Sequence, residues 1–175
     1  MNNSILKQET ADLHMLTEKI MQSNLLFSGQ FTVSHYKNFI LKSYNYIAGI
    51  NSKVSLDWPE FSDILTKKVN ALNADLKHLN LLPAKSALFI PNNERFYNLG
   101  LIYIVLGAML GNKIILHKLQ KSALFKDFPF FYLSLHQEIL PVIWKNFQSK
   151  INELNQQELE KVIQGARDGY LLFAK

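Results

Sequence analysis

Apolar residues recur every three to four positions along most of the chain, which is the spacing of one face of an α-helix. The first such stretch runs from about Ser4 to Met21. Its apolar stripe is formed by Leu6, Leu13, Leu16 and Ile20. Short segments that alternate apolar and polar residues, the pattern of a half-buried strand, are absent. The pattern therefore predicts an all-α fold of about six helices.

Turn and capping residues mark where the next helices begin and end. Thr32 is a suitable N-cap for a second helix, because its hydroxyl can accept from a free amide of the first turn. Asp57 followed by Pro59 indicates the start of a third helix, which is expected to end before Pro83. The segment from Pro83 to Pro91 is predicted to be a loop.

The fourth predicted helix is the most apolar part of the chain. It is expected to begin with a cap at Asn92 or Asn93 and to run to about Lys121. No charge occurs between Leu99 and Gly111, but a membrane span needs about 20 such residues, and polar residues follow at once. We therefore expect a buried central helix and not a membrane helix.

Two further helices are predicted in the last third of the chain. A fifth begins near Tyr132, and Pro141 is expected to kink it or end it. Asn155 followed by Glu158 resembles a capping box, which indicates the start of the last helix. The apolar stripe of that helix includes Tyr170.

The composition agrees with a globular protein, since 48% of the 175 residues are apolar and 19% are charged. No repeat or linker is visible, so we expect one domain over residues 1–175. The chain has no cysteine, which excludes disulfides, thiolate metal sites and cysteine nucleophiles and fits a reducing cytosol. No signal peptide is visible.

The formal net charge of +5 is mildly basic and would suit an acidic partner or an anionic ligand. Lysines such as Lys67 and Lys68 are too sparse for the basic stripe with interleaved aromatic residues that nucleic-acid binding requires. We expect most of the lysines to lie on the solvated surface.

Lys7, His14 and Glu18 gather on a polar face of the first predicted helix. A metal-bound imidazole usually donates from its other ring nitrogen to a second acceptor, and Glu18 stands one turn after His14. Lys7, two turns before His14, could meet an anionic group of the same ligand. The same spacing also occurs on ordinary solvated faces. No i, i+4 pair is formed by the other histidines, which are expected at the surface or in caps: His35, His78, His117 and His136.

Gly107 and Gly111 are four residues apart and therefore share one face of the fourth helix. Each glycine costs about 1 kcal/mol of helix stability relative to alanine in a helix interior, so two glycines on one face indicate a structural or functional role. Either another helix packs closely there, or a flat ligand lies against the backbone. A ligand would meet an apolar wall from the flanking residues Tyr103, Ile104, Leu106, Met109 and Leu110.

In their order and spacing, several short motifs resemble the heme oxygenase family over nearly the whole chain. Residues 6–14 read Leu-Lys-x-x-Thr-x-x-x-His, which is similar to the opening helix of that family. Residues 100–112 read Gly-x-x-Tyr-x-x-x-Gly-Ala-x-x-Gly-Asn, which is similar to the distal helix of bacterial members. Further similar segments are 72–79, 144–147 and 166–173. The resemblance is closest to the bacterial, phytochrome-associated type.

This resemblance implies a single all-α heme oxygenase-like domain with a ligand slot between the first helix and the glycine-containing distal helix. His14 would be the axial ligand of the heme iron, and Glu18 would orient it. Gly107 and Gly111 would let the distal helix pass close over the heme. The resemblance also implies that Lys7 and either Lys145 or Lys150 would pair with the heme propionates. Tyr103 would contact the heme as well.

Two positions depart from the family pattern. Many members have an aspartate directly after the first distal glycine, where this chain has Ala108. Ala108 therefore stands at a catalytic position of the distal helix without a group that could order water, although some bacterial relatives also have a small residue there. Asn112 replaces the second glycine of a Gly-Gly pair, and its side chain would either crowd the pocket or donate a hydrogen bond into it.

On this resemblance the chain is an enzyme, a cytoplasmic heme oxygenase that cleaves heme to biliverdin, CO and ferrous iron with O₂ and external electrons. Heme would be both substrate and cofactor. The reductant would be an acidic electron donor such as a ferredoxin or a flavodoxin-like protein, and neither nucleic acid nor a membrane is expected as a partner. Two alternatives remain: a heme-binding protein of the same fold with little or no turnover, and a helical interaction module without heme.

Overall fold

The structure is a computed structural model that describes residues 1–83, 94–135 and 138–174. Within these ranges all regular structure is helical, which confirms the predicted fold class. The helices are α1 (Asn2–Glu9), α2 (Ala11–Ile20), α3 (Asn24–Ser28), α4 (Val33–Asp57), α5 (Ser62–His78), α6 (Arg95–Gln120), α7 (Phe131–Ser134), α8 (Leu140–Asn152) and α9 (Gln156–Ala174), with short 3-10 turns at Pro59–Phe61 and Ala123–Phe125. Three predictions lie outside the described residues: the loop after Pro83, the cap at Asn92 or Asn93, and the position of His136.

The segment predicted as one first helix is two helices, with a break at Thr10. Thr10 has φ −116° and ψ 0° and is only 1% exposed. Its hydroxyl donates a hydrogen bond to the Leu6 carbonyl oxygen at 2.8 Å, within the turn where α1 ends. A β-branched side chain that bonds back to the preceding turn competes with regular helix geometry. The prediction of a continuous helix was therefore wrong.

Cap hydrogen bonds confirm two of the predicted helix starts. The Thr32 hydroxyl accepts from the His35 backbone N–H at 3.4 Å, and His35 Nδ1 accepts from the Thr32 backbone N–H at 3.0 Å. Histidine here takes the place that glutamate or glutamine usually holds in a capping box, so a capping role for His35 is confirmed. Asn155 and Glu158 form the same reciprocal pair, with both N···O distances at 3.0 Å.

The predicted fifth helix is also divided. α7 is a single short turn, and α8 begins at Leu140 with Pro141 in its first turn. Proline in this place loses no intrahelical hydrogen bond, and its fixed φ suits the start of a helix. The prediction that Pro141 kinks or ends a helix was wrong, because it begins one.

The core is organised around α6, which packs along α9 and against α4. Two glycines let the backbones of α6 and α9 touch. A Cβ added to Gly100 would lie 2.1 Å from the Val162 carbonyl oxygen, and one added to Gly165 would lie 2.0 Å from the Tyr97 carbonyl oxygen. The contact between the two helices therefore depends on the absence of side chains at both positions.

The first half of α6 is buried on more sides than the second half. Leu99 and Leu101 in the first half are fully buried, whereas Leu110 and Ile114 in the second half are 46% and 54% exposed. By length and composition α6 could cross a membrane, but half of its most apolar window is buried in the fold, as in a core helix. The prediction of a buried central helix is confirmed for the first half and for the side of the second half that carries Met109, Asn112 and Leu119, and it was wrong for the side that carries Leu110 and Ile114.

One lysine that was expected at the surface lies in the core. Lys67 is exposed and pairs with Asp63 at 2.7 Å, whereas its neighbour Lys68 is 0% exposed. The Lys68 ammonium lies 4.6 Å from the centroid of the Tyr132 ring, and it has no hydrogen-bond acceptor in the described part of the chain. Burial lowers the pKa of Lys68 to about 7, because the charged form loses its water.

Candidate functional site

His14 lies in the middle of α2 with its ring open to solvent. Its side chain is 56% exposed, and its Nδ1 lies 3.6 Å from Glu18 Oε1 one turn later. The structure thus brings together the imidazole and the carboxylate, at a distance that a small rotation of either exposed side chain would shorten to a hydrogen bond. With Nδ1 turned toward Glu18, Nε2 is the nitrogen left to ligate a metal.

The His14 ring also contacts Tyr170 of α9, edge to face, with ring centroids 5.8 Å apart. Burial raises the pKa of the Tyr170 hydroxyl, and the nearby Tyr103 and Glu18 raise it further. Tyr170 therefore lies among residues of both α2 and α6 and connects the two predicted halves of the site. Tyr170 was predicted as part of an apolar stripe and not as a site residue, although a hydroxyl at a core position is a signal for a specific contact.

Gly107 and Gly111 face open space. A Cβ added to either residue would find no heavy atom within 4 Å beyond its own stretch of α6. Close packing by another described helix therefore does not account for the pair. A flat ligand needs such a bare stretch of backbone, and Tyr103 lies one turn earlier on the same side of α6.

Tyr103 belongs to an aromatic cluster with α8. Its ring is stacked with Phe147 and tilted toward Trp144, with both pairs of centroids 6.1 Å apart. Leu110, four residues before Ile114, lies on the exposed part of α6. The predicted apolar wall was wrong for the residues that turn into the core, Ile104, Leu106 and Met109.

Helix α9 packs against both α2 and α6, whereas α2 and α6 are not a packed pair among the described helices. Leu16 and Ile20, which were predicted in the core stripe of the first helix, are 42% and 37% exposed. That prediction was wrong because α2 rests on α9 through another edge, where Leu13 is buried. The uncovered apolar side chains of α2 and of the second half of α6 offer surface to a large apolar ligand.

Asn112 does not face the open side of α6. It is 2% exposed and lies beside the Tyr132 side chain inside the core. One step along a helix rotates the side chain by about 100°, which turns Asn112 away from the face of Gly111. Both expectations for Asn112, crowding the pocket and donating into it, were wrong. Ala108 is exposed and brings no polar group to this side.

Lys7 is exposed near the end of α1, on the other side of the Thr10 break from His14. The two residues therefore do not share one continuous helical face. Their spacing in the sequence therefore does not bring Lys7 close to His14, and the role of Lys7 rests on the resemblance alone.

The two candidate lysines of α8 have different surroundings. Lys145 is exposed and directly follows Trp144, a member of the aromatic cluster with Tyr103. The Lys150 ammonium lies 3.0 Å from a Glu60 carboxylate oxygen and 5.1 Å from the Trp58 ring centroid. Of the two, Lys150 is the one whose charge is already neutralised by a carboxylate.

No protein-family model matches the chain, and no curated protein matches its sequence. The fold, however, is similar to that of the heme oxygenase from Neisseria meningitidis, known from crystal structures with bound NO and CO. The two structures superpose with a TM-score of 0.76 over 99% of this chain and 88% of the other, at 19% sequence identity. The architecture built above, an all-α domain arranged around α6 and α9, is therefore the fold of a heme oxygenase.

Proposed function

We propose that this chain binds heme in the space beside α2 and the second half of α6, with His14 as the axial ligand of the iron. The observation that carries the proposal is the bare backbone at Gly107 and Gly111, in a fold shared with a heme oxygenase. Within the described ranges no three histidine, aspartate or glutamate side chains converge as a metal site. Heme brings four nitrogen ligands of its own and needs only one accessible imidazole from the protein.

Each residue of the site has a defined task in this proposal. Glu18 accepts from Nδ1 of His14 and fixes the tautomer in which Nε2 ligates. Tyr170 holds the imidazole ring from the α9 side. Gly107 and Gly111 allow the backbone of α6 to approach the ring face, and Tyr103 borders that face. The propionates would pair with exposed cations, for which Lys7 and Lys145 are candidates because they are exposed, whereas Lys150 is already paired with Glu60.

The reaction that we propose is oxidative cleavage of heme to biliverdin, CO and ferrous iron. Heme supplies the O₂ chemistry when bound, and the protein supplies ligation, shape and exclusion of bulk water. Electrons come from an external reductant, and the net charge of +5 suits an acidic ferredoxin or flavodoxin-like donor in the cytoplasm. The subtype that we propose is the bacterial, phytochrome-associated one.

One specific observation favours a second candidate, a heme-binding protein with little turnover. Ala108 is exposed on the open side and carries no group that could order water beside bound O₂. A protein of this kind would bind heme through the same His14 but would leave the ring intact.

A hemin titration tests the binding step. The wild-type chain is expected to give a saturable 1:1 shift of the Soret band with an imidazole-ligated spectrum. His14→Ala is expected to lose that spectrum while retaining its helical circular dichroism. His78→Ala is the matched control, because His78 is an exposed histidine at the end of α5 whose ring contacts Phe128. An unchanged spectrum in His14→Ala, or no saturable shift in the wild type, would contradict the assignment.

Turnover separates the enzyme from the heme binder. The hemin complex is reduced with ascorbate under air, with catalase present so that free peroxide does not degrade the ring. Loss of the Soret band with the appearance of biliverdin absorbance and CO indicates an oxygenase. A stable Soret band under the same conditions would leave only the heme-binding function.

A further inference from the structure

Arg167 of α9 contacts both ends of the break between α1 and α2. Its guanidinium donates to Asp12 through two parallel bonds, Nη1 to Oδ1 at 3.1 Å and Nη2 to Oδ2 at 3.2 Å. Nη1 also donates to the backbone carbonyl oxygen of Glu9. Glu9 is the last residue of α1, and Asp12 lies in the first turn of α2. One side chain thus bonds the end of one helix and the start of the next.

Each of these contacts satisfies a polar group at one of the two helix ends that the break creates. The last carbonyl groups of a helix have no partner within that helix, and an arginine can satisfy them. A carboxylate in the first turn is favoured by the helix dipole and offers two oxygens that match the fork of a guanidinium. A lysine could not reach the three acceptors at once, because its ammonium is a single point charge.

These contacts affect the position of His14, which lies two residues after Asp12. α2 is only ten residues long and packs against α9, with Leu13 buried and the His14 ring in edge-to-face contact with Tyr170. Those apolar contacts allow the short helix to slide or rotate, since apolar packing has little directionality. The Arg167 fork fixes the start of α2 in both direction and register.

We propose that Arg167 is a positioning residue for His14: by joining the Glu9 carbonyl to the Asp12 carboxylate, it sets the orientation of α2 and so the placement of the imidazole ring against Tyr170. The effect on heme ligation rests on the proposed function, whereas the effect on the ring does not. Arg167 touches no candidate ligand contact itself and acts only through α2.

The first test uses the chain without heme. In the wild type, an NMR nuclear Overhauser effect is expected between the ring protons of His14 and Tyr170. The backbone amides of His14 to Thr17, which have carbonyl acceptors one turn earlier, are expected to exchange slowly. Arg167→Gln is expected to weaken the ring contact and to speed that exchange by about 2- to 5-fold, the range for an exposed ion pair. The matched control is Lys67→Gln, which breaks the exposed Lys67–Asp63 pair on α5.

Arg167→Lys separates geometry from charge. It retains the positive charge but not the fork, so we expect a ring contact and exchange rates between those of the wild type and Arg167→Gln. A wild-type result for Arg167→Lys would show that charge alone suffices and would overturn the proposal. An unchanged ring contact in Arg167→Gln would overturn it as well.

The second test uses the hemin complex. Arg167→Gln is expected to release hemin about 2- to 5-fold faster and to shift the iron–histidine stretching band in the resonance Raman spectrum, while Lys67→Gln changes neither. If the wild type binds no hemin, the proposed function fails and the NMR test alone decides the role of Arg167. If the wild type binds hemin through His14 and Arg167→Gln leaves the stretching band in place, only the positioning role fails.

Discussion

The two halves of α6 contain glycines for opposite reasons. Gly100 in the first half lies against the backbone of α9, where an added Cβ would be 2.1 Å from the Val162 carbonyl oxygen. A Cβ added to Gly107, at the middle of α6, or to Gly111, in its second half, would contact no heavy atom. A glycine in a helix therefore marks either a contact within the fold or a surface kept bare, and only the surroundings distinguish the two.

The second half of α6 also differs between its own two sides. Gly111 is on the open side, whereas the next residue, Asn112, is buried beside Tyr132. The buried side is a polar layer in the core, since the Lys68 ammonium lies over the same Tyr132 ring. Substitutions are therefore expected to act differently at the α6–α9 contact around Gly100, at the buried polar layer and on the open side of α6.

The largest effect is expected for Gly100→Ala. Its methyl group would collide with three backbone atoms of α9, which cannot move independently of the helix. We expect a loss of about 3 kcal/mol or more in the free energy of unfolding, or failure to fold. Urea unfolding followed by circular dichroism measures this loss.

Gly107→Ala is the control for that substitution on the same helix. Its methyl group meets no atom, so the gain in helix propensity should stabilise the chain by up to about 1 kcal/mol. Equal destabilisation by the two substitutions would contradict the distinction between the closed and open halves of α6.

Lys68→Met is expected to stabilise the fold, and more so at low pH. The pKa of Lys68 falls from 10.5 in the unfolded chain to about 7 in the folded one, so between these values only the unfolded chain binds the proton. Wild-type stability should therefore rise from pH 7 to about pH 10.5, whereas below pH 7 the full cost of the buried charge remains.

The size of this effect follows from the pKa difference. At about 1.4 kcal/mol per pKa unit, and with part of the cost offset by the Tyr132 ring, Lys68→Met should gain roughly 3 kcal/mol at pH 6. The gain should shrink toward pH 10. Unfolding curves at a series of pH values measure it, and a gain that does not vary with pH would contradict the buried charge.

Periodicity and capping signals were sufficient to predict the fold class and several helix starts. Thr32 and the pair Asn155–Glu158 could be identified because a cap is a local interaction between residues three apart. The break at Thr10 was missed, since the apolar spacing continues across it and the cause is one hydroxyl bond to Leu6. Capping signals therefore located the starts of α4 and α9 but not the break at Thr10.

The site was only partly predictable. His14 and Glu18 are one turn apart, so their proximity follows from helix geometry alone. Tyr170 and Arg167 contact α2 from a helix about 155 residues later, and a single sequence gives no distance over that separation. The prediction that Lys68 lies at the surface was wrong for the same reason, since its burial depends on the packing of α7 against α5.

Gly107→Leu tests the open side directly. The larger side chain enters free space in the unliganded chain, so the free energy of unfolding should change by less than about 1 kcal/mol. In the proposed complex it would occupy the face on which heme lies, and hemin affinity should fall by about tenfold or more. Isothermal titration with hemin, beside urea unfolding of the same sample, measures both quantities. An unchanged hemin affinity would show that heme does not bind on this face of α6.

The smallest effect is expected for Lys7→Ala. Lys7 is exposed at the end of α1 and is one of several cations that a propionate could reach. An exposed charge contact contributes about 0.2–1 kcal/mol, so hemin affinity should fall by no more than about fivefold, and by less at high salt. Lys19→Ala is the control, an exposed lysine on α2 outside the predicted contacts. A loss that is equal for both lysines at low salt would reflect general attraction by the net charge, and the specific propionate contact of Lys7 would then be rejected.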